Sequence, residues 1–218
     1  MEELQVAGGT KADEVYAKLR LQIVSGDFMP GDKVTIRQIA GLYQVSMMPV
    51  RQALSRLHSD GFVSITNRTV KIKELSAKDV KDIFAIRIRL ETLALEWAIP
   101  HIDEEKAGHL QQIIDQMGKE YNPDIEWGKL NKQFHLTFYS YADSPSLLST
   151  LRDIWGSVEA YMNIYASSSS NLETFPLSYE EHQQLISFAY RKETNKALDL
   201  LVKHLSNTRD VILQELNK

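Results

Sequence analysis

Residues 45–61 read VSMMPVRQALSRLHSDG, and this stretch decides the fold of the first third of the chain. Ser46 is a favoured residue for a helix start, and Pro49 fits the first turn because the missing N–H costs little there. The pair at 60–61, Asp-Gly, predicts the end of the helix. Apolar residues recur at helical spacing between these limits and predict a buried face: Val50, Leu54 and Leu57.

A shorter helix is predicted over 35–43, separated from this one only by Gln44 and Val45. Two short helices joined by a tight turn are typical of a helix-turn-helix, whose second helix enters the DNA major groove. Alternating residues at 62–65 and 70–73 predict a two-stranded hairpin, or wing. Another helix is expected over 10–25, before a turn at Pro30-Gly31.

Beyond residue 74 the pattern becomes wholly helical, so we expect a mainly α protein in two domains. The predicted parts are a flexible tail at 1–9, a winged helix-turn-helix domain at 10–74 and an all-helical domain at 75–218. Helical periods are expected at 76–99, 103–120, 123–142, 144–166, 177–191 and 193–216. The first of these is apolar on most sides, which predicts burial on more than one face.

Composition excludes several classes of protein. The chain has no cysteine, so disulfides, cysteine-ligated zinc and cysteine nucleophiles are ruled out. No apolar run approaches the length of a membrane span and no signal-peptide pattern is present, so a cytoplasmic protein is expected. The net charge is −4, yet residues 33–73 carry seven Lys or Arg and one acid, whereas residues 75–218 carry 15 and 21. Only the first part therefore suits an anionic partner.

The predicted DNA-reading face combines the exposed side of the second helix with nearby cations. The candidates for contact are Ser46, Met47, Met48, Arg51, Gln52, Arg37, Arg68, Lys71 and Lys73. A small structural α/β subdomain with a solvated basic face is the alternative interpretation.

Residues 23–34, IVSGDFMPGDKV, and residues 45–57, VSMMPVRQALSRL, resemble the GntR family of regulators, as does the DGFV at 60–63. The resemblance covers the N-terminal third at many fixed spacings. Two positions depart from the family pattern: Met47 stands where Arg is frequent, and the hairpin tip lacks the usual Gly. The resemblance implies DNA contact by Arg37, Ser46, Met47, Arg51, Asn67 and Arg68.

Histidines form a second pattern, in the helical part. Asn131 and His135 are four residues apart and share one helix face, while His182 and His204 lie on the last two helices. A single histidine on an apolar helix is more often a hydrogen-bonded core residue than a metal ligand, so spacing alone leaves both interpretations open.

The helical part also resembles the FCD domain, the effector domain of the FadR-like branch of the GntR family. The motifs that show this resemblance are RIRLE at 87–91, NKQFH at 131–135, ADSPSL at 142–147, EH at 181–182 and HL at 204–205. The resemblance implies a divalent metal, Zn²⁺ or Ni²⁺, held by Asn131, His135, His182 and His204. Asn131 replaces the family's Asp, which removes a negative ligand.

An anionic effector would offset that missing charge. Arg87 could pair with a carboxylate, and Tyr161 and Asn163 would line the same pocket; the alternative for Arg87 is an ion pair with Glu91. We therefore expect a homodimeric regulator, a repressor by analogy, that binds operator DNA and a small organic acid. Two other classes remain open: a metal-dependent hydrolase with Glu181 as base, and a protein-binding adaptor bundle.

Overall fold

The computed structural model describes residues 9–66, 69–119, 125–167 and 174–216. The chain forms two compact units, Met1–Leu75 and Ser76–Lys218, which are described separately below. Nearly all of the predicted tail at 1–9 lies outside the described residues, as do Asn67 and Arg68 at the predicted wing tip.

Three helices form most of the first unit: α1 (Lys11–Ser25), α2 (Ile36–Tyr43) and α3 (Met47–Ser59). Thr10 and Thr35 begin α1 and α2 with capping boxes, in which side chain and backbone bond each other reciprocally across the first turn. Both α1 and α2 pack against α3. The buried residues at these contacts are apolar and recur at helical spacing: Leu19, Ile23, Ile39, Leu54 and Leu57.

A three-stranded antiparallel sheet completes this unit: β1 (Lys33–Val34), β2 (Val63–Thr66) and β3 (Thr69–Ile72), in the order β1-β3-β2. Val70 in the central strand lies opposite Val34 on one side and Ile65 on the other. The sequence predicted the β2–β3 hairpin within one residue but missed β1. A two-residue strand is too short to show the alternation by which strands are recognised.

The second unit contains six α-helices in the part of the chain that the structure describes, and this confirms the mainly helical class. They are α4 (Ala77–Ala98), α5 (Glu104–Lys119), α6 (Ile125–Ser140), α7 (Pro145–Ser167), α8 (Thr174–Tyr190) and α9 (Thr194–Leu216). Each predicted helix is found within three residues of its expected limits. A short 3-10 turn, Ile99–His101, extends α4.

Helix α4 is the central element of this unit, because it packs against α6, α7 and α9. One face is buried and contains two charged residues as well as apolar ones: Val80, Phe84, Arg87, Glu91, Ala94, Leu95 and Ala98. A second apolar stripe on α4 is half-buried or exposed: Ile83, Ile86, Leu90, Leu93 and Trp97. Ile86 is 50% exposed and Trp97 44%, so within a single chain the expected burial of α4 on more than one face is not complete.

Among the described helices, none combines the length and apolar character needed to cross a membrane.

Candidate functional site

The turn between α2 and α3 presents the N-terminal end of α3 at the surface. Gln44 ends α2 in the left-handed region, with φ 54°, and the backbone N–H of Val45 donates to the carbonyl of Ala40 at 3.0 Å. Val50, Ala53, Leu54 and Leu57 face inward on α3. The exposed side of its first two turns carries Ser46, Met47, Met48, Arg51 and Gln52.

Ser46 occupies the N-cap position of α3, but its side chain makes no capping hydrogen bond. The helix thus begins at the residue that the sequence favoured, but without a cap from its hydroxyl. The starts of α1, α2 and α4 differ, because Thr10, Thr35 and Ser76 all accept a backbone N–H. The Ser46 hydroxyl is therefore not committed to holding its own helix.

Some cationic side chains of the first unit form ion pairs within the chain, and others do not. Arg56 on α3 is 2.6 Å from Asp13 and lies over the ring of Tyr16. Lys71 on β3 is 2.6 Å from Glu74. Arg37, on α2, and Arg51 are both exposed, and neither makes an ion pair with any residue that the structure describes. Arg37 and Arg51 are consequently available for an external anion.

Three histidines from three helices meet inside the second unit. His135 on α6, His182 on α8 and His204 on α9 are 1%, 0% and 4% exposed. Their ring centroids lie 4.8–5.3 Å apart, and one ligand nitrogen from each falls within 4.8 Å of the others. The Nε2 atoms of His135 and His182 are 3.2 Å apart. The sequence assigned the three residues to three separate helices, and the bundle brings their side chains together.

Hydrogen bonds fix the tautomers of two of these rings. The Tyr139 hydroxyl donates to Glu91 Oε2 at 2.6 Å, so its oxygen accepts from His135, whose Nδ1 is 3.0 Å away. The Nδ1 of His204 lies 2.7 Å from Glu181 Oε2, and a carboxylate can only accept. His135 and His204 therefore carry a proton on Nδ1, so the neutral form of either ring has its lone pair on Nε2.

Burial disfavours the charged forms of His135 and His182. Burial, with a smaller effect from nearby cations, holds the pKa of His135 well below its ordinary value of 6.5, and burial does the same for His182. Burial and the charge of Glu91 raise the pKa of Tyr139 well above 10.0, so Tyr139 keeps its proton. Neutral imidazoles with inward lone pairs are the form in which histidine binds zinc, copper, iron or nickel.

Asn131 lies one turn before His135 on α6 and is 2% exposed. Its Oδ1 is buried without a hydrogen bond to any described residue, and so is the Nδ1 of His182. A buried acceptor without a donor is costly, and a cation nearby would satisfy it. This orphaned oxygen and the three imidazoles fit a divalent metal ion.

Arg87 lies next to the cluster and is held on three sides. Its Nε donates to Glu91 Oε1 at 2.6 Å, and its guanidinium carbon lies 4.1 Å from the centre of the Trp155 ring and 4.7 Å from that of Phe84. The ion pair with Glu91, the alternative considered from the sequence, is thus formed. The Nη1 of Arg87 nevertheless lacks a partner among the described residues, as does the Nε1 of Trp155.

Tyr139 and Trp155 are the functional candidates that the sequence analysis missed. Tyr139 carries a usable signal, because it is one helical turn after His135 on the same face. Trp155 carries none, since an aromatic residue on an apolar helix face is normally core. Tyr161 and Asn163, predicted to line the pocket, fall in the last turns of α7, where side chains lie outside the described part of the structure.

Family comparison identifies both parts of the chain. The model described as "FCD domain" matches residues 82–207, and that described as "Bacterial regulatory proteins, gntR family" matches residues 11–69. The first match alone spans more than half of the chain.

Individual relatives agree with these matches. The HTH-type transcriptional regulator YdhC of Bacillus subtilis (strain 168) is 27% identical over 198 residues, which is 89% of this chain and 87% of that protein. The HTH-type transcriptional repressor GlaR of Escherichia coli (strain K12) is 23% identical over 207 residues, or 91% and 94%. The solved structure of E. coli McbR/YncC covers 95% of this chain and 99% of its own, with a TM-score of 0.81 at 20% identity, and shows a shared fold.

Proposed function

The chain belongs to the GntR family of bacterial transcription regulators that carry an FCD domain, and on that premise we propose that it is a repressor whose operator affinity depends on a small organic acid and a divalent metal. As a member of that family it is a DNA-binding regulator and not an enzyme, and the comparisons give the hydrolase alternative no support. The site of its action is then the bacterial cytoplasm, where the operator is.

We propose that Arg37, Ser46, Met47 and Arg51 contact the operator, together with Asn67 and Arg68 on the wing. The supporting observation is that Arg37 and Arg51 are exposed and have no ion-pair partner among the described residues, while the Ser46 hydroxyl makes no capping bond. A side chain that reads a base contributes about 1–3 kcal/mol to binding. Arg51→Ala should cost that much operator affinity in a fluorescence anisotropy titration.

Arg56→Ala is the matched control, because Arg56 is an arginine of the same helix that Asp13 already holds. Operator affinity should change little in this variant. Equal affinities of wild type and Arg51→Ala would remove Arg51 from the contact surface.

The proposed metal ligands are His135, His182, His204 and Asn131, and the proposed ion is Zn²⁺ or Ni²⁺. The convergence of three buried imidazoles supports this assignment. When bound, the ion supplies a fixed double positive charge inside a buried site. Around it, Tyr139 and Glu181 orient two of the imidazoles through Nδ1, an arrangement that generally raises metal affinity.

Asn131→Asp tests this assignment, because it restores a negative ligand at the position of the orphaned oxygen. The variant should bind Zn²⁺ or Ni²⁺ more tightly than wild type in a competition titration with a chelator. Gln133→Glu adds the same charge on an exposed position of α6 and should leave metal affinity unchanged. Weaker binding by Asn131→Asp would exclude Asn131 as a ligand.

The single observation that carries the effector proposal is the pair of unpartnered donors beside the histidines, Arg87 Nη1 and Trp155 Nε1. Buried donors without acceptors cost about 1–3 kcal/mol each, so a ligand that supplies acceptor oxygens gains that energy. A carboxylate satisfies both the donors and the positive charge that Asn131 leaves unbalanced. Calorimetric titration of the metal-loaded protein with di- and hydroxycarboxylates tests this, and preference for a cationic ligand would contradict it.

A homodimer is the proposed assembly, with the second copy packed on the partly exposed apolar stripe of α4. The stripe residues recur at alternating intervals of three and four: Ile83, Ile86, Leu90, Leu93 and Trp97. This is the repeat of a two-helix seam, and an exposed apolar stripe of this length marks an interface. Two recognition helices in one dimer would read a near-palindromic site.

For the acid to regulate, it must bind one arrangement of the dimer better than another. Helix α4 is the proposed lever, because it carries Arg87 and Glu91 on its buried face and the dimer stripe on the adjoining face. Only four residues, 73–76, connect it to the wing strand β3. We expect the acid to weaken operator binding, which an anisotropy titration at fixed metal concentration would measure.

A further inference from the structure

Two methionines stand at the start of α3 with their side chains in solvent. Met47 is 49% exposed and Met48 65%, and they are the first two residues of the helix. Neither belongs to the apolar face that α3 turns to the core, which is made by Val50, Ala53, Leu54 and Leu57. Folding of this unit therefore does not require apolar side chains at these two positions.

The surroundings of the pair are polar and cationic. Arg51 lies four residues after Met47, and Gln52 lies four after Met48, so each shares a helix face with its methionine. Arg51 has no ion-pair partner among the described residues. The charge around this small apolar patch thus suits a polyanion, and it disfavours a purely apolar protein partner.

A helix start in the DNA major groove meets a limited set of chemical groups. Guanine offers two acceptors, adenine an acceptor and a donor, and cytosine a donor, so an apolar side chain pressed against any of them leaves polar groups unsatisfied. Thymine differs, because its C5-methyl group is an apolar surface on the groove floor. Apolar contact between a thioether side chain and that methyl group is favourable. The thioether has no hydrogen-bond donor with which to recognise guanine.

We propose that Met47 and Met48 make the regulator specific for thymine, each by covering a thymine methyl group in the half-site that α3 enters. This inference rests on the proposed DNA contacts of α3, and it adds the identity of the base to them. The specificity it describes comes from apolar contact, whereas the neighbouring Arg51 supplies the charged contact.

The test begins with the duplex that the wild-type protein selects from a random-sequence pool. Each thymine of that duplex is replaced in turn by deoxyuridine, which removes only the methyl group. Affinity should fall about fourfold at one or two positions in each half-site, the value of one buried methyl group. Met47→Ala and Met48→Ala should each lower affinity for the thymine duplex by a similar factor. The double variant should bind the thymine and uracil duplexes with equal affinity.

Met29→Ala is the matched control, since Met29 is 48% exposed in the same unit but lies outside α3. It should bind both duplexes as wild type does. Alanine is a strong helix former, so the variants at 47 and 48 keep the fold. Re-selection with Met47→Arg should exchange a thymine for a guanine in each half-site, because arginine pairs bidentately with guanine.

The possible outcomes distinguish failure of the thymine assignment from failure of the proposed DNA contacts of α3. A selected duplex that depends on Arg51 but binds equally with uracil overturns the thymine assignment alone. Uracil sensitivity that persists in the double methionine variant also overturns it. Failure to select any duplex overturns both the assignment and the proposed operator contacts. An unchanged selected sequence with Met47→Arg overturns the role of Met47.

Discussion

The Tyr139 hydroxyl lies 2.6 Å from Glu91 Oε2, and this bond joins two helices through residues 48 positions apart. Because the phenolic O–H donates its hydrogen bond to Glu91, the same oxygen must accept from the Nδ1–H of His135. The bond therefore links the buried ion pair on α4, formed by Arg87 and Glu91, to a proposed metal ligand on α6.

Tyr139→Phe should weaken metal binding. The change removes the acceptor for the Nδ1 proton of His135, so this hydrogen bond no longer fixes the tautomer that has its lone pair on Nε2. Loss of such an outer partner typically costs about 10–100-fold in metal affinity. Chelator competition with Zn²⁺ or Ni²⁺ measures the affinity, and long-range nitrogen–proton NMR of the metal-free protein reports the His135 tautomer.

Tyr141→Phe provides the control for that experiment. The Tyr141 hydroxyl makes a comparable hydrogen bond, 2.9 Å from the Nδ1 of exposed His109, on the outside of the bundle. Metal affinity should be unchanged in this variant. If Tyr139→Phe also kept the wild-type affinity and tautomer, the Glu91–Tyr139 pair would have only a packing role.

Trp155→Phe should weaken binding of the organic acid while leaving metal affinity intact. The substitution keeps an aromatic ring beneath Arg87 but deletes the unpartnered Nε1 donor. A hydrogen bond to a charged group contributes about 1.5–3 kcal/mol, so affinity should fall at least about tenfold. Calorimetry with the best carboxylate from the screen measures it.

Trp97→Phe makes the same exchange at a tryptophan that is 44% exposed on the other side of α4. The acid should bind this variant as it binds wild type. Comparable acid affinity in Trp155→Phe and Trp97→Phe would mean that the Trp155 donor does not face the ligand.

Ile86→Glu should separate the proposed dimer. Ile86 is 50% exposed in the single chain and lies in the middle of the apolar stripe, so a carboxylate there would be buried without a partner at the interface. Sedimentation should show a monomer, and operator affinity should fall by about tenfold or more because two half-sites are no longer bound together. Val202→Glu, on α9 at 38% exposure, should remain dimeric. A dimeric Ile86→Glu protein would place the interface elsewhere.

Stability at high pH should depend on Tyr43 in the helix-turn-helix. Burial, aided by the charge of Asp27, raises the pKa of Tyr43 from 10.0 to about 12. Above pH 10 the unfolded chain releases this proton and the folded chain does not, so stabilisation is complete below pH 10 and is lost as pH rises towards about 12. Urea unfolding at several pH values in this range should show a shallower decline for Tyr43→Phe than for wild type.

The control for the pH series is Tyr190→Phe, since Tyr190 is 50% exposed on α8. Its unfolding free energy should decline with pH as steeply as that of wild type. Parallel declines for wild type and Tyr43→Phe would show that Tyr43 ionises alike in the folded and unfolded chains.

Local features of the chain predicted most of the fold. The helix signals are local in the sequence: threonine and serine caps, a proline in a first turn, and apolar residues every three or four positions. They predicted the limits of the helices closely. Strand β1 was not predicted, because two residues are too few to show an alternating pattern. It is defined by its pairing with β3. Helical spacing placed Asn131 and His135 on one face, whereas the grouping of His135 with His182 and His204 was implied only by the family resemblance.

What the sequence by itself determined was the series of helices, the helix-turn-helix and the family to which both parts belong. The tertiary structure decided which side chains meet: Glu91 with Tyr139, Arg87 with Trp155, and Glu181 with His204. It also decided that α4 keeps one apolar stripe outside the bundle. The reason is physical: helix signals act between neighbours in the chain, whereas a buried hydrogen bond or ion pair depends on how separate helices pack.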